Sequence, residues 1–234
     1  MKLSLLVAAS ALALSLPANA TNLLTDNFDG EAGASILNYA GFANFDVVDG
    51  TVDYLKGFPG LNCASGGCVD LDGSTGNGGR LVTKSVFGFS AGDLVSLTFD
   101  LSGSQRGSTE DVNYGFLSQS GAMIYEDVTI TIGGSPFVFG DINSTNLDAT
   151  TFSIPSNYGY ITYSLSFTAS VAGSFKAYIG SPSADNIGVI IDNVSIDRVA
   201  PGAVPEPATW GMMIGGFALA GAAMRRRKAS VSFA

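Results

Sequence analysis

The chain of 234 residues contains no histidine and has a net charge of −9. The usual Ser-His-Asp triads and most catalytic zinc sites need histidine, so the composition excludes them. Between Thr21 and Val204, six lysines and arginines stand against nineteen aspartates and glutamates, a net charge of −13. So acidic a segment is not expected to bind nucleic acid or anionic lipid, whereas a neutral glycan or a cation is compatible with it.

The first predicted element is a secretory signal peptide over residues 1–20. Lys2 supplies a positive start, residues 3–16 are apolar, and Pro17 precedes a small-residue pattern that ends at Ala20. This layout is typical of signal-peptidase substrates, so cleavage is predicted after Ala20. The alternative is an uncleaved N-terminal anchor, but the apolar stretch is short and a cleavage pattern follows it.

The next 179 residues, 21–199, are predicted to form one all-β domain, an antiparallel jelly-roll β-sandwich. Apolar and polar side chains alternate in several segments, as expected for strands with one buried face. These segments are 94–102, 126–133, 160–170 and 188–199. Turn signals such as Asp49-Gly50 and Gly133-Gly134 separate the segments, and no part of the domain has useful helical periodicity. The spacing of short strands favours two packed sheets.

Two cysteines, Cys63 and Cys68, are separated by a short Gly-containing loop. An exported protein folds in an oxidising compartment, so a disulfide between them is predicted. The alternative is a pair of free thiols. Zinc is not expected, because two thiols without any histidine cannot complete a zinc site.

Asp70 and Asp72 form an acidic pair in the segment that follows the second cysteine. On a strand, residues two apart face the same way, so these like charges would need water, a cation or a donor between them. The pattern departs from a calcium-binding EF-hand loop after Gly73, because no acid follows at the required spacing.

Two further acidic pairs, Glu110-Asp111 and Glu126-Asp127, are the residues that could serve glycoside hydrolysis. Both pairs lie in polar stretches where solvated acids are expected, and nothing in the sequence places two acids across a cleft. The chain is therefore predicted not to be an enzyme. A glycoside hydrolase is the less favoured alternative.

The C-terminal part is predicted to cross a membrane. Residues 200–207 form a Pro-rich linker, and residues 208–224 carry no charge. As a helix these seventeen residues would span about 26 Å, close to the lower limit for a bilayer. The tail 225–234 begins with four cations, which mark the cytoplasmic side and place the domain in the periplasm. A buried core helix is the alternative, but four adjacent cations fit poorly against a core.

The tripeptide Pro205-Glu206-Pro207, then Trp210, the apolar helix and the cations Arg225, Arg226, Arg227 and Lys228 occur in a fixed order. This segment resembles the PEP-CTERM sorting signal of Gram-negative bacteria that make exopolysaccharide. The resemblance implies that the membrane protease exosortase recognises the tripeptide and cuts near it. The domain would then reach the cell surface or the medium.

The domain itself resembles the galactose-binding-like jelly rolls of bacterial surface proteins that are often labelled choice-of-anchor proteins. The similar segments are 22–31, 48–55, 68–81, 94–107 and 190–196. In related modules an acid just after the first-strand phenylalanine and an aspartate on the last strand hold a structural calcium ion, so Asp29 is expected near the start of the first strand. The resemblance assigns these positions to Asp29 and Asp192, and backbone carbonyls would have to complete the shell. The alternative is that both acids cap turns.

Two functions from different classes follow from these observations. The first is a non-catalytic glycan-binding module associated with exopolysaccharide; the second is a structural envelope or matrix protein without a small ligand. Sugar rings usually stack on exposed aromatic side chains, and the only tryptophan lies outside the domain. The candidate stacking residues are therefore tyrosines such as Tyr39, Tyr54, Tyr114, Tyr125 and Tyr158.

Overall fold

The computed structural model describes residues 20–201 and 216–217. Residues 20–201 contain fifteen β-strands and no helix. The strands are β1 (Ala20–Asp26), β2 (Phe45–Val48), β3 (Asp53–Leu55), β4 (Cys68–Asp70), β5 (Arg80–Thr83), β6 (Phe87–Phe89), β7 (Leu94–Ser102), β8 (Glu110–Ser118), β9 (Met123–Ile132), β10 (Ser135–Ser144), β11 (Asn146–Asp148), β12 (Phe152–Ile154), β13 (Ile161–Ala169), β14 (Gly173–Gly180) and β15 (Ile190–Val199).

The strands form two antiparallel sheets. The first has the order β10-β9-β13-β7-β15-β4-β3, and β1 pairs with β15. The second has the order β11-β8-β14-β5-β2, with β12 paired to β8 and β6 paired to β14. Strands that follow one another in the chain, such as β7 and β8 or β13, β14 and β15, lie in alternate sheets. The predicted all-β sandwich of jelly-roll type is confirmed.

The alternating segments of the sequence become the central strands. In β7, Val95, Leu97 and Phe99 point into the core, whereas the intervening residues are partly exposed. In β13, Leu165 and Phe167 are fully buried in the same way. These two strands pair along their whole length, so one apolar pattern extends across the centre of the first sheet.

Aromatic rings fill the space between the sheets. Phe167 from the first sheet and Phe116 from the second meet edge to face, with ring centroids 5.2 Å apart. Phe175 contacts Phe116 at 4.9 Å, and Tyr125 contacts Phe167 at the same distance. Such edge-to-face pairs add to the stability that burial of apolar area provides.

The predicted turns at Asp49-Gly50 and Gly133-Gly134 occur between strands. Gly133 and Gly134 have φ angles of 56° and 83° and join β9 to β10. Two consecutive residues with positive φ form the tight turn that suits the twist of a hairpin, and glycine adopts that backbone without strain.

The predicted processing and membrane segments lie largely outside the described residues. This applies to the signal peptide before Ala20, most of the linker, nearly all of 208–224 and the basic tail. Ala20 itself is the first residue of β1 and pairs with Val199. Within the described part of the chain, no helix has the length and apolar character needed to cross a membrane.

Candidate functional site

A groove with a volume of about 480 Å³ lies on the outer side of the first sheet, where three loops meet. Asn62 comes from the loop between β3 and β4, and Gln105 comes from the loop between β7 and β8. Residues 156–160, between β12 and β13, form the remaining wall. The volume falls in the range of small-molecule binding pockets, about 300 to 1,000 Å³.

A close backbone contact sets the position of two of these loops. The amide of Gly103 donates a hydrogen bond to the carbonyl oxygen of Tyr158 at 3.0 Å, and the Gln105 amide donates one to Ser156 at 3.1 Å. A Cβ atom on residue 103 would lie 2.1 Å from the carbonyl oxygen of Pro155. Only glycine at position 103 therefore allows the two loops to approach each other this closely.

The Gln105 side chain connects the groove to the segment that enters the disulfide loop, residues 63–68. Gln105 donates from Nε2 to the Asn62 carbonyl oxygen at 2.9 Å and accepts the Asn62 amide hydrogen at the same distance. The Tyr160 hydroxyl donates to the same carbonyl oxygen at 2.9 Å. These bonds fix the rim of the groove before any ligand arrives, which lowers the ordering cost of binding.

Tyr158 and Asn157 are exposed at the groove, as are Asn62 and Gly159. The Tyr158 side chain is 49% exposed, and Asn157 is exposed beside it. The lining contains no lysine, arginine, aspartate or glutamate. An exposed aromatic face with neutral amides around it can stack on a sugar ring and hydrogen-bond its hydroxyl groups.

The structure separates the five predicted tyrosines into different roles. Tyr54, Tyr114 and Tyr125 have at most 2% of their surface exposed, so their rings cannot stack on a ligand. They belong to the aromatic core. The sequence did not predict this role, because tyrosine, with its hydroxyl group, also occurs at exposed positions. Tyr39 is half-buried, with its ring 4.7 Å from that of Phe42. Of these five tyrosines, only Tyr158 lines the groove. Tyr160, which is not one of the five, lines it as well.

The predicted disulfide between Cys63 and Cys68 is confirmed, with the sulfur atoms 2.03 Å apart. Cys68, Leu55 and Ile190 form a small buried cluster on the outer side of the first sheet, and Tyr160 packs against it. The disulfide loop therefore supports the floor of the groove.

Asp29 and Asp192, the predicted calcium ligands, both hold the disulfide loop. Asp192 is on β15, but Asp29 lies beyond the end of β1 rather than near its start. The Gly67 amide donates to Asp29 at 2.7 Å, and the Ser65 amide donates to Asp192 at 3.0 Å. The second carboxylate oxygen of Asp29 accepts a hydrogen bond from the Asn27 side chain. The second oxygen of Asp192 accepts one from the Asn193 backbone amide.

All four of these carboxylate oxygens therefore have a donor. Burial raises the pKa of Asp192 to about 6, the hydrogen bonds from Ser65 and Asn193 lower it, and the nearby Asp29 charge raises it further. The two carboxylates thus repel each other, as the sequence suggested, but hydrogen bonds from amide groups offset the repulsion. Calcium at this pair stays a prediction.

Asp70 and Asp72 do not share a strand face, because β4 ends at Asp70. The strand geometry assumed for the pair therefore does not apply to Asp72, whose amide donates to Asp70 Oδ1 at 3.1 Å. Asp70 forms an ion pair with Arg106 through Oδ2 and Nη2, and only 1% of its side chain is exposed. Burial raises the pKa of Asp70 to about 7, against the opposing effect of Arg106.

Asp72, Glu110 and Asp185 form a separate group, called here the acidic cluster. Each contributes one carboxylate oxygen, and these oxygens all lie within 4.8 Å of one another. Glu110 is only 5% exposed, so the expectation that it is a solvated acid is wrong; its neighbour Asp111 points away from the core. The sequence offered no signal for Asp185, which a loop between β14 and β15 brings to the cluster.

The family model for the PEP-CTERM protein-sorting motif matches residues 203–228. This match confirms the predicted sorting signal, and it indicates an exported protein with a C-terminal sorting segment. No curated protein matches the chain.

Solved structures that resemble the domain include carbohydrate-binding modules. The CBM22-1 xylan-binding domain from Paenibacillus barcinonensis Xyn10C is 10% identical with a TM-score of 0.41, over 78% of this chain and 97% of that one. CBM35 from Cellvibrio japonicus Abf62 is 16% identical with a TM-score of 0.34, over 73% and 100%. The K3 adhesin domain of Lys-gingipain from Porphyromonas gingivalis is 14% identical with a TM-score of 0.36, over 76% and 98%. At these values the likeness does not identify a ligand.

Proposed function

We propose that the chain is an exported, exosortase-processed protein whose domain binds a neutral glycan, without catalysis, in the groove at Tyr158. One observation carries this proposal: the groove presents an exposed aromatic ring among neutral amide groups, with no charged residue in its lining. The domain's net charge of −13 repels anionic polymers, which favours an uncharged polysaccharide.

Exosortase and signal peptidase are the proposed processing partners. The match to the sorting motif includes Pro205, Glu206 and Pro207, and proline residues in a sequence favour the extended backbone that a protease binds. The domain would be held in the inner membrane of a Gram-negative cell, then released to the surface or the exopolysaccharide matrix.

Processing can be measured by the intact mass of the protein recovered from an exosortase-containing host. We expect a chain that begins at Thr21 and ends within residues 204–207. Replacing Pro205 and Pro207 by alanine should leave the C-terminal segment attached, whereas the control Pro201→Ala should be processed normally. A mature wild-type protein that retains residues 208–234 would contradict exosortase cleavage.

Glycan binding can be measured by affinity electrophoresis of the purified full chain through gels that contain a soluble xylan, mannan, β-glucan or galactan. We expect at least one neutral polysaccharide to retard the wild type, and Tyr158→Ala to weaken that binding about tenfold, since the stacking surface is lost. Alginate, an anionic polymer, should not retard the protein.

Phe139→Ala is the matched control, because Phe139 is also exposed, at 52%, but lies on β10 away from the groove. It should bind as the wild type does. Unchanged retardation of Tyr158→Ala would show that the groove is not the binding site.

A structural matrix protein without a small ligand is the second candidate. The burial of Tyr54, Tyr114 and Tyr125 favours it, because these rings serve the core and leave the groove with Tyr158 as its one fully presented ring. Absence of retardation by every polysaccharide tested would support this function and reject the first.

A further inference from the structure

The acidic cluster joins three segments that are distant in the sequence. Asp72 follows β4, Glu110 is the first residue of β8, and Asp185 lies in the loop between β14 and β15. Asp72 is 0% exposed and Glu110 is 5% exposed, whereas Asp185 is exposed. The cluster thus has a closed inner end and one side that is open to solvent, which gives an ion a path of entry.

Asp72 is the residue that requires an explanation. Both of its carboxylate oxygens are buried, and neither accepts a hydrogen bond within the described residues. The hydroxyl groups of Ser181 and Ser183 are close enough to favour its charged form, yet they do not reach hydrogen-bonding geometry. A buried carboxylate without a hydrogen-bond donor is strongly unfavourable, so this position favours a cation beside Asp72.

No arginine or lysine supplies that partner in the described part of the chain. The ion pairs there join Arg80 to Asp49, Arg106 to Asp70 and Arg198 to Asp93, and none includes a member of the acidic cluster. Three carboxylates within 4.8 Å of one another would repel strongly in so buried a place.

The backbone is shaped around the Asp72 carboxylate. A Cβ atom on residue 78 would lie 2.0 Å from Asp72 Oδ1 and 2.8 Å from the Ser181 carbonyl oxygen. A Cβ atom on residue 188 would lie 3.0 Å from the Cβ of Asp72. Gly78 and Gly188 therefore leave room for the carboxylate, and the Ser181 carbonyl places a neutral oxygen beside it.

We propose that Asp72, Glu110 and Asp185 bind a calcium ion. Carboxylate and carbonyl oxygens are hard ligands, and Ca²⁺ takes six to eight of them in a flexible geometry, with water completing the shell. The chain has no histidine and both of its cysteines are in the disulfide, so zinc and softer metals lack their preferred ligands here. The ion cross-links the turn after β4, the start of β8 and the loop before β15.

This site differs from the predicted pair Asp29 and Asp192. At that pair, amide and side-chain donors reach all four carboxylate oxygens, whereas no donor in residues 20–201 reaches the Asp72 carboxylate. The two locations can be separated by mutation, because each variant removes a carboxylate from one location only.

The test is calcium titration calorimetry on the purified full chain, with thermal unfolding at pH 7.5 in calcium chloride and in EDTA. At one hundred times its dissociation constant, calcium should raise the melting temperature by about 5 to 10 °C. Asp185→Asn changes an exposed side chain and should fold normally, but it should lose most of the calcium binding and most of the rise.

Asp72→Asn gives a change of opposite sign in the two conditions. In EDTA it should melt at a higher temperature than the wild type, because the variant removes an unpartnered charge. In calcium it should melt at a lower temperature, since it lacks the ligand. A merely structural role for Asp72 would lower the melting temperature in both conditions.

Asp111→Asn and Asp192→Asn are the controls. Asp111 is the neighbour of Glu110 but accepts its bond from Ser153 on the other side of the strand, so its replacement should leave the calcium effect intact. A calcium effect that survives Asp185→Asn but disappears in Asp192→Asn would overturn the proposal in favour of the other location.

Identical melting temperatures in calcium and EDTA would also overturn it. Magnesium chloride provides the final comparison: a rise with magnesium and none with calcium would reject the assignment to calcium.

Discussion

Replacing Phe167 by alanine is expected to lower the free energy of unfolding by about 3 to 5 kcal/mol, a typical cost for removing a large aromatic side chain from a packed core. Phe167 is fully buried. Its ring contacts Phe89, Phe116 and Tyr125, with centroids 5.8, 5.2 and 4.9 Å away. It therefore packs between both sheets, and its replacement by alanine would leave a cavity there.

Urea unfolding of the full chain, followed by far-ultraviolet circular dichroism, measures this effect. Phe139→Ala is the matched control, because the Phe139 ring is 52% exposed on β10, and its loss should change the stability by less than about 0.5 kcal/mol. Equal effects of the two substitutions would contradict the assignment of Phe167 to the core.

Replacing Arg106 by alanine is expected to destabilise the protein by about 3 to 5 kcal/mol at pH 8, since it leaves the Asp70 carboxylate buried without its cation. Only 1% of the Asp70 side chain is exposed. Arg106 also donates to the carbonyl oxygen of Asn186 at 3.0 Å, so the loop before β15 would lose a contact. The second substitution Asp70→Asn should restore part of the stability, because it removes the uncompensated charge.

The loss should depend on pH. Burial raises the folded-state pKa of Asp70 to about 7, above the value of the unfolded chain, and removing Arg106 would raise it further. The folded state then binds more protons, so the Asp70 contribution favours folding at low pH and is lost as pH rises through the folded pKa. The deficit of Arg106→Ala should therefore be smaller at pH 5 than at pH 8.

The exposed pair of Arg80 and Asp49 provides the comparison for this experiment. Its atoms are 3.4 Å apart and the Asp49 side chain is 64% exposed, so Asp49→Asn should cost less than about 1 kcal/mol. A deficit for Arg106→Ala that is equally small, or that grows as the pH falls, would contradict the account of the buried pair.

The sequence predicted the strands best where the pattern is local. The alternation in 94–102 corresponds to β7, because its side chains face alternately the core and the outer side of the sheet; Ser102, at the end of the strand, is buried as well. The two sheets follow from several such segments. The disulfide was predictable for a similar reason, since only five positions separate Cys63 from Cys68.

The groove could not be predicted in this way, because three loops that are distant in sequence form it. Nothing local relates Gln105 to Asn62, whose mutual hydrogen bonds fix the rim. The tyrosines show the same limit: Tyr114 and Tyr158 are chemically identical, yet one is fully buried and the other is half exposed. Position in the sandwich decides between these roles.

The acidic cluster combines both situations. The sequence drew attention to Asp72, but to its pairing with Asp70 rather than with Glu110 and Asp185. In the sequence-based expectation a strand extends through both aspartates, whereas β4 ends at Asp70 and the chain turns. The turn directs Asp72 towards a strand and a loop that are distant in the chain, which no local pattern reveals.

The most direct test of the central claim is a ¹H–¹⁵N NMR titration of the labelled protein with an oligosaccharide from whichever neutral polysaccharide retards it. The proposal predicts chemical-shift changes at the side-chain amides of Gln105 and Asn157 and at the backbone amides of Tyr158 and Gly159, all of which line the groove. Shift changes confined to another surface, or no changes at saturating oligosaccharide, would contradict a glycan site in the groove.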